Sequence, residues 1–193
     1  MSKRINYFQT IHKAIRRLLF LLSIDLGAVD MSDLDEVKVL YERFEHLKAY
    51  LESHAHHEEN HIHALIKAKL PELYAVTERE HQEQEGELDK LAKSFKDLLA
   101  INNSEQRIAA GYTLYLQFNQ FVSSYCTHLW AEEGQIMPGL WQTCTDEELL
   151  KHFLSLMASF TQEEYFDSLD KFWPAINKQE KTAMVALPSG LKT

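Results

Sequence analysis

Three times along its 193 residues the sequence sets a histidine four positions before a glutamate: His54 and Glu58, His81 and Glu85, His128 and Glu132. On an α-helix, residues four apart share one face, about 6 Å apart along the axis. Two metal ions bridged by carboxylates sit roughly 3.5–4 Å apart. An imidazole and a carboxylate one turn apart can therefore serve one dinuclear centre, the carboxylate bridging and the imidazole capping one ion. Mixed nitrogen and oxygen donors suit iron, manganese or zinc better than calcium or magnesium. No cysteine joins the pattern, which argues against an iron–sulfur or soft-metal site.

Taken alone, each pair reads as a surface pair worth only a few tenths of a kcal/mol. Phase with the apolar residues changes that reading. One stretch runs Leu114, Phe118, Phe121, Tyr125, in alternating steps of four and three, and the same steps land on His128 and Glu132. Another runs Val37, Leu40, Phe44, Leu47, Leu51 and continues to His54 and Glu58. A third, Phe8, Ile15, Leu19, Leu22, includes His12. The fourth, read backwards from Phe95 through Leu91 or Ala92 and Leu88, reaches Glu85 and then His81. Such stripes are buried faces. A buried carboxylate or imidazole costs several kcal/mol unless it is paired or metal-bound. Seven of them, His12, His54, Glu58, His81, Glu85, His128 and Glu132, call for a shared partner. His46, His56, His57, His63 and His152 fall off the stripes and are expected in solvent or facing a partner. His61, one step past Glu58, is left as a residue that lines the pocket or supports it from outside. Glu59 and Glu133 read as flanking charges.

The elements that must position these groups are long helices. Six glycines and four prolines leave few breaks, and no segment shows the period-two alternation of a strand. The first predicted helix covers about residues 3–25. The second starts after Ser32 as cap and runs to about residue 69. The third starts at Pro71, a favourable first-turn residue, and reaches about residue 100. The fourth runs from a Ser104 cap to near Pro138. A fifth, about 146–170 with Thr145 as cap, precedes a tail of the last dozen or so residues. The fold class predicted is all-α: an antiparallel up-down-up-down four-helix bundle over residues 1–140 with an additional C-terminal helix, residues 141–193 forming that helix and tail packed on the bundle.

Composition narrows the function. Twenty basic against twenty-nine acidic residues give a net charge of −9, a poor balance for binding a phosphate backbone, so no nucleic acid is expected as partner. No apolar run reaches the roughly 18–20 residues that span a bilayer, so no membrane is expected either. The short run Leu18–Leu22 after Arg16 and Arg17 reads as a buried helix face. The two cysteines, Cys126 and Cys144, make no CxxC motif and read as free thiols in a reducing cytoplasm.

The run Tyr50-Leu51-Glu52-Ser53-His54-Ala55-His56-His57-Glu58-Glu59 resembles the second-helix motif of hemerythrin-like (HHE cation-binding) domains. Cys126-Thr127-His128-Leu129-Trp130-Ala131-Glu132-Glu133, followed by Ile136-Met137-Pro138, resembles their fourth-helix motif. His12 stands where the family has its first-helix histidine, and Glu80-His81 fits the third helix. The resemblance spans about residues 5–140. It implies an antiparallel four-helix bundle around a non-haem di-iron centre, with Glu58 and Glu132 matching the bridging carboxylates. The oxygen carriers of the family use five histidines and carry HxxxH on the third helix. Glu85 stands at the second histidine of that motif, an anion in place of a neutral ligand. An extra carboxylate would favour the oxidised metal and disfavour reversible oxygen carriage.

The expected cofactor is accordingly a pair of iron ions, with zinc or manganese as alternatives. The expected partner is a small molecule such as O2, peroxide or NO, which the chain binds, senses or reacts with. A non-redox cation site and a metal-stapled interaction module are the competing readings, and a homodimer is a candidate assembly.

Overall fold

Short polar side chains start the helices by accepting the backbone N–H groups that the first turn leaves unbonded. In the computed structural model, which describes residues 4–185, Asn6 Oδ1 takes the amides of Phe8 and Gln9 at 3.0 Å each and opens α1 (Gln9–Ala28). Asp33 Oδ1 takes those of Asp35 and Glu36 and opens α2 (Leu34–His61), one residue beyond the Ser32 cap expected from the sequence. A short α3 (His63–Lys69) follows a break at Ile62. Pro71 begins α4 (Pro71–Leu99), as its fixed φ and missing N–H favour. Asn103, rather than Ser104, caps α5 (Ser104–Ala131) through the Gln106 amide.

A π-helical turn, Glu132–Ile136, then leads into α6 (Met137–Thr143), and the Met137 amide donates to the Glu132 carbonyl five residues back. Pro138 explains the wide turn. It has no N–H for the carbonyl of residue 134, and its ring would clash with that carbonyl in a regular α-turn. Beyond α6, the single fifth helix expected over 146–170 is two helices. α7 (Asp146–Ser159) and α8 (Gln162–Phe172) each open with a reciprocal capping box, Thr145 with Glu148 and Thr161 with Glu164. A further helix, α9 (Lys178–Val185), occupies the start of the expected tail, whose remainder lies outside the described residues. No strand occurs among the described residues, and none of the described helices is long and apolar enough to cross a membrane.

Two compact units emerge from the packing. One comprises Leu18–His56 and Ala75–Leu129. In it, parts of α1, α2, α4 and α5 form a closed ring of antiparallel neighbours. Asp25 near the end of α1 pairs with Arg43 near the start of α2. Along α2 and α4, Phe44 stacks on Phe95 at 4.6 Å while Lys48 pairs with the earlier Asp89 at 3.3 Å. Between α4 and α5, Ser124 donates to Glu87 and His128 meets the earlier Glu80. Ser23 of α1 donates to Asn119 of α5 at 2.7 Å, closing the ring. The buried interior is the predicted stripe, Leu19, Leu22, Val37, Leu40, Phe44, Leu88, Phe95, Leu114, Phe118 and Phe121. Arg107, itself buried, ties the connecting loops by donating to the carbonyls of Met31, Ser32 and Ile101.

The other unit contains the described parts of Met1–Arg17, His57–Tyr74 and Trp130–Thr193. Its core joins Tyr7 and Phe8 to Ile62, Leu65, Ile66, Ile136, Met137, Leu140 and Leu149. The chain after α6 is bound in by polar contacts: Tyr7 donates to the Leu149 carbonyl at 2.8 Å, and Lys13 pairs with Glu180 of α9 at 2.6 Å.

Candidate metal centre

α1 brings His12 to a position with no exposed surface at all. Its Nε2 edge lies 3.3 Å from Glu132 Oε2 and 3.9 Å from Glu58 Oε1. Both carboxylates are themselves buried, Glu58 at 3% and Glu132 at 1% exposure. The opposite edge, Nδ1, lies 3.1 Å from Glu133 Oε1. Arg16, one turn after His12, donates to both Glu133 oxygens at 2.7 and 2.9 Å. Glu132 and Glu133 thus approach opposite edges of one imidazole. The π-helical turn begins at Glu132, and such turns are frequent at functional sites.

α4 and α5 supply a second grouping. The rings of His81 and His128 meet edge to face at 4.9 Å, and His128 Nδ1 lies 2.9 Å from Glu80 Oε2. Both histidines are buried, as is His54 on α2.

These side chains fall into two sets of potential ligands. His12, His54, Glu58 and Glu132 form one, and Glu58, His81, His128 and Glu132 the other. Within each set the ligand atoms lie within 4.8 Å of one another, and all the residues are buried. Glu58 and Glu132 belong to both. Two imidazoles and two carboxylates per set, with the carboxylates shared, make a donor set that fits a pair of first-row transition ions.

The protonation of the metal-free chain reflects the same crowding of acids. Burial disfavours a charged His12, yet hydrogen bonds to Glu132, Glu133 and Glu58 outweigh it and raise its pKa to about 10. Burial likewise works against a charged Glu133, but the His12 and Arg16 hydrogen bonds hold it down to about 2. The His128 hydrogen bond lowers Glu80 against the cost of its partial burial. A proton on His12 supplies positive charge where a metal would otherwise supply it.

Six of the seven residues singled out in the sequence, His12, His54, Glu58, His81, His128 and Glu132, are brought together. Glu85 is not: it is exposed and belongs to neither set. The buried face of α4 passes from Thr77 through His81 to Gln84 and Leu88, a step of three after His81 rather than four. The clustered donors are four histidines and two glutamates, and the case for an extra carboxylate at the metals loses its basis.

Two further expectations change. His57 and His63, expected in solvent or facing a partner, are buried within the chain. His57 stacks on Phe160 at 4.1 Å, and His63 meets Tyr74 edge to face at 5.6 Å. His61 joins neither set. Glu80, Glu133 and Arg16 carry roles that periodicity missed. For Glu80 and Glu133 the signal in the sequence was adjacency, to His81 and to Glu132; Arg16, one turn after His12, had none.

Comparison with known families matches residues 4–140 to the Hemerythrin HHE cation binding domain. No curated protein and no solved structure matches. The matched span contains α1 to α5, the π-helical turn and the start of α6, hence every residue of both sets. The chain belongs to the hemerythrin HHE cation-binding domain family.

Proposed function

We propose that the chain is a dinuclear non-haem iron protein that binds or reacts with a small molecule of the O2, peroxide or NO class. The observation that carries this reading is the presence of Glu58 and Glu132 in both ligand sets. Sharing carboxylates between two cations holds them close and offsets like-charge repulsion. Each set offers two imidazoles and two carboxylates. That satisfies a four-coordinate zinc ion completely, whereas iron bound by two histidines and a carboxylate characteristically keeps positions open. Iron, when bound, supplies the electrons and Lewis acidity that these small molecules require.

The chain's own residues do the rest. His12, His54, His81 and His128 present neutral nitrogen donors, Glu58 and Glu132 present charge, and burial excludes bulk water. The Glu85 argument against oxygen carriage no longer applies, so carriage, sensing and turnover are separated by experiment. Protein from iron-rich culture is reduced anaerobically, then exposed to O2, peroxide or NO, with visible spectra recorded and metal counted on the same sample. About two iron ions per chain and ligand-dependent absorption are expected. Iron well below one per chain, or a spectrum indifferent to all three molecules, would overturn the reading in favour of a zinc or manganese site.

A further inference from the structure

In each ligand set a histidine, His12 in one and His128 in the other, has its Nδ1 against a carboxylate from outside both sets, and the two carboxylates differ in charge balance. Glu133 at His12 is clasped by Arg16 through two hydrogen bonds. Glu80 at His128 lies 2.9 Å away; no guanidinium clasps it, and Arg79, which acts on it only through space, is itself paired with Glu83 at 3.9 Å. A carboxylate that accepts the Nδ1–H proton fixes the tautomer, leaves Nε2 for the metal and makes the imidazole a stronger donor. A carboxylate already neutralised by a guanidinium does this more weakly, because less of its charge is left for the imidazole.

We propose that Glu80 and Glu133 are positioning residues that make the two metal positions unequal, the His81–His128 position binding a divalent cation more tightly than the His12–His54 position. Glu80, with Arg79 acting on it only through space, leaves more negative charge beside the first than the directly clasped Glu133–Arg16 pair leaves beside the second. This inference rests on the dinuclear reading of the site. It assigns Arg16 a definite part: the guanidinium lowers the affinity of the position it supports.

The test is a calorimetric titration of the metal-free full chain with zinc, a probe independent of redox chemistry. The wild type should bind two ions in two resolved steps. Glu80→Gln should weaken the tighter step by about 10–100-fold, the usual effect of losing such an outer carboxylate, and bring the steps together. Arg16→Met should tighten the weaker step and narrow the gap from the other side, an effect that loss of a merely structural contact would not produce. In zinc-loaded protein, the downfield Nδ1–H proton resonance of His128 should shift upfield in Glu80→Gln and stay in place in Arg16→Met. Fewer than two zinc ions in the wild type would sink the dinuclear reading itself. Two ions with step ratios that neither variant changes by more than about threefold, or a weaker step loosened by Arg16→Met, would sink this inference alone. Should Glu80→Gln fail to fold, Arg16→Met decides the matter by the direction of its effect.

Discussion

Glu133 Oε1 lies 3.1 Å from His12 Nδ1, so the residue after Glu132, the candidate ligand that opens the π-helical turn, sets the orientation of the candidate ligand of α1. Adjacent glutamates are divided between two tasks by the π-helical turn that starts with the first of them.

This arrangement makes metal uptake pH-dependent. The metal-free His12 has its pKa raised from 6.5 to about 10, so near neutral pH the cation must displace a proton. Metal addition in weakly buffered solution should release protons, and affinity should rise as pH climbs toward 10. In the metal-free chain the sign reverses. A raised folded pKa contributes stability fully below pH 6.5, and that stability is lost as pH passes through about 10. The metal-free melting temperature should therefore drop across this window.

Glu85→Gln separates the sequence reading from the structure. Glu85 is exposed and outside both sets. The variant should keep wild-type metal stoichiometry and spectrum, with stability changed by no more than about 0.5 kcal/mol. Glu58→Gln and Glu132→Gln should each lower the metal count, since each removes a carboxylate that both sets use.

Removing Phe95 tests the scaffold away from the metals. Phe95 is fully buried and stacked on Phe44. Phe95→Ala should cost about 3–5 kcal/mol in denaturant unfolding. Loss of metal without loss of stability would show that the core assignment is wrong.

Much of this was legible in the sequence because burial repeats with the helical period. The stripes through Phe44, Phe95 and Phe118 named both the core and the helix faces that carry His54, His81 and His128. Glu85 was misjudged for a geometric reason. Positions three and four past His81 both lie one turn away, and the HxxxE repeat favoured Glu85 where packing buries Gln84. The break in the C-terminal helix had a local signal, since Thr161 and Glu164 spell a second capping box. The break at Ile62 had none, with neither proline nor glycine nearby. Pro138 marked the end of a helix but not the wide turn before it. Glu80 and Glu133 act across helices, on His128 and His12, and no spacing within one helix encodes such a contact.

The most direct test of the central claim is X-ray absorption at the iron edge, with iron counted on the same iron-loaded sample. Two ions sharing Glu58 and Glu132 should give about two iron per chain and an iron–iron scattering path near 3.5–4 Å. One ion per chain, or spectra with light-atom scattering alone, would contradict it.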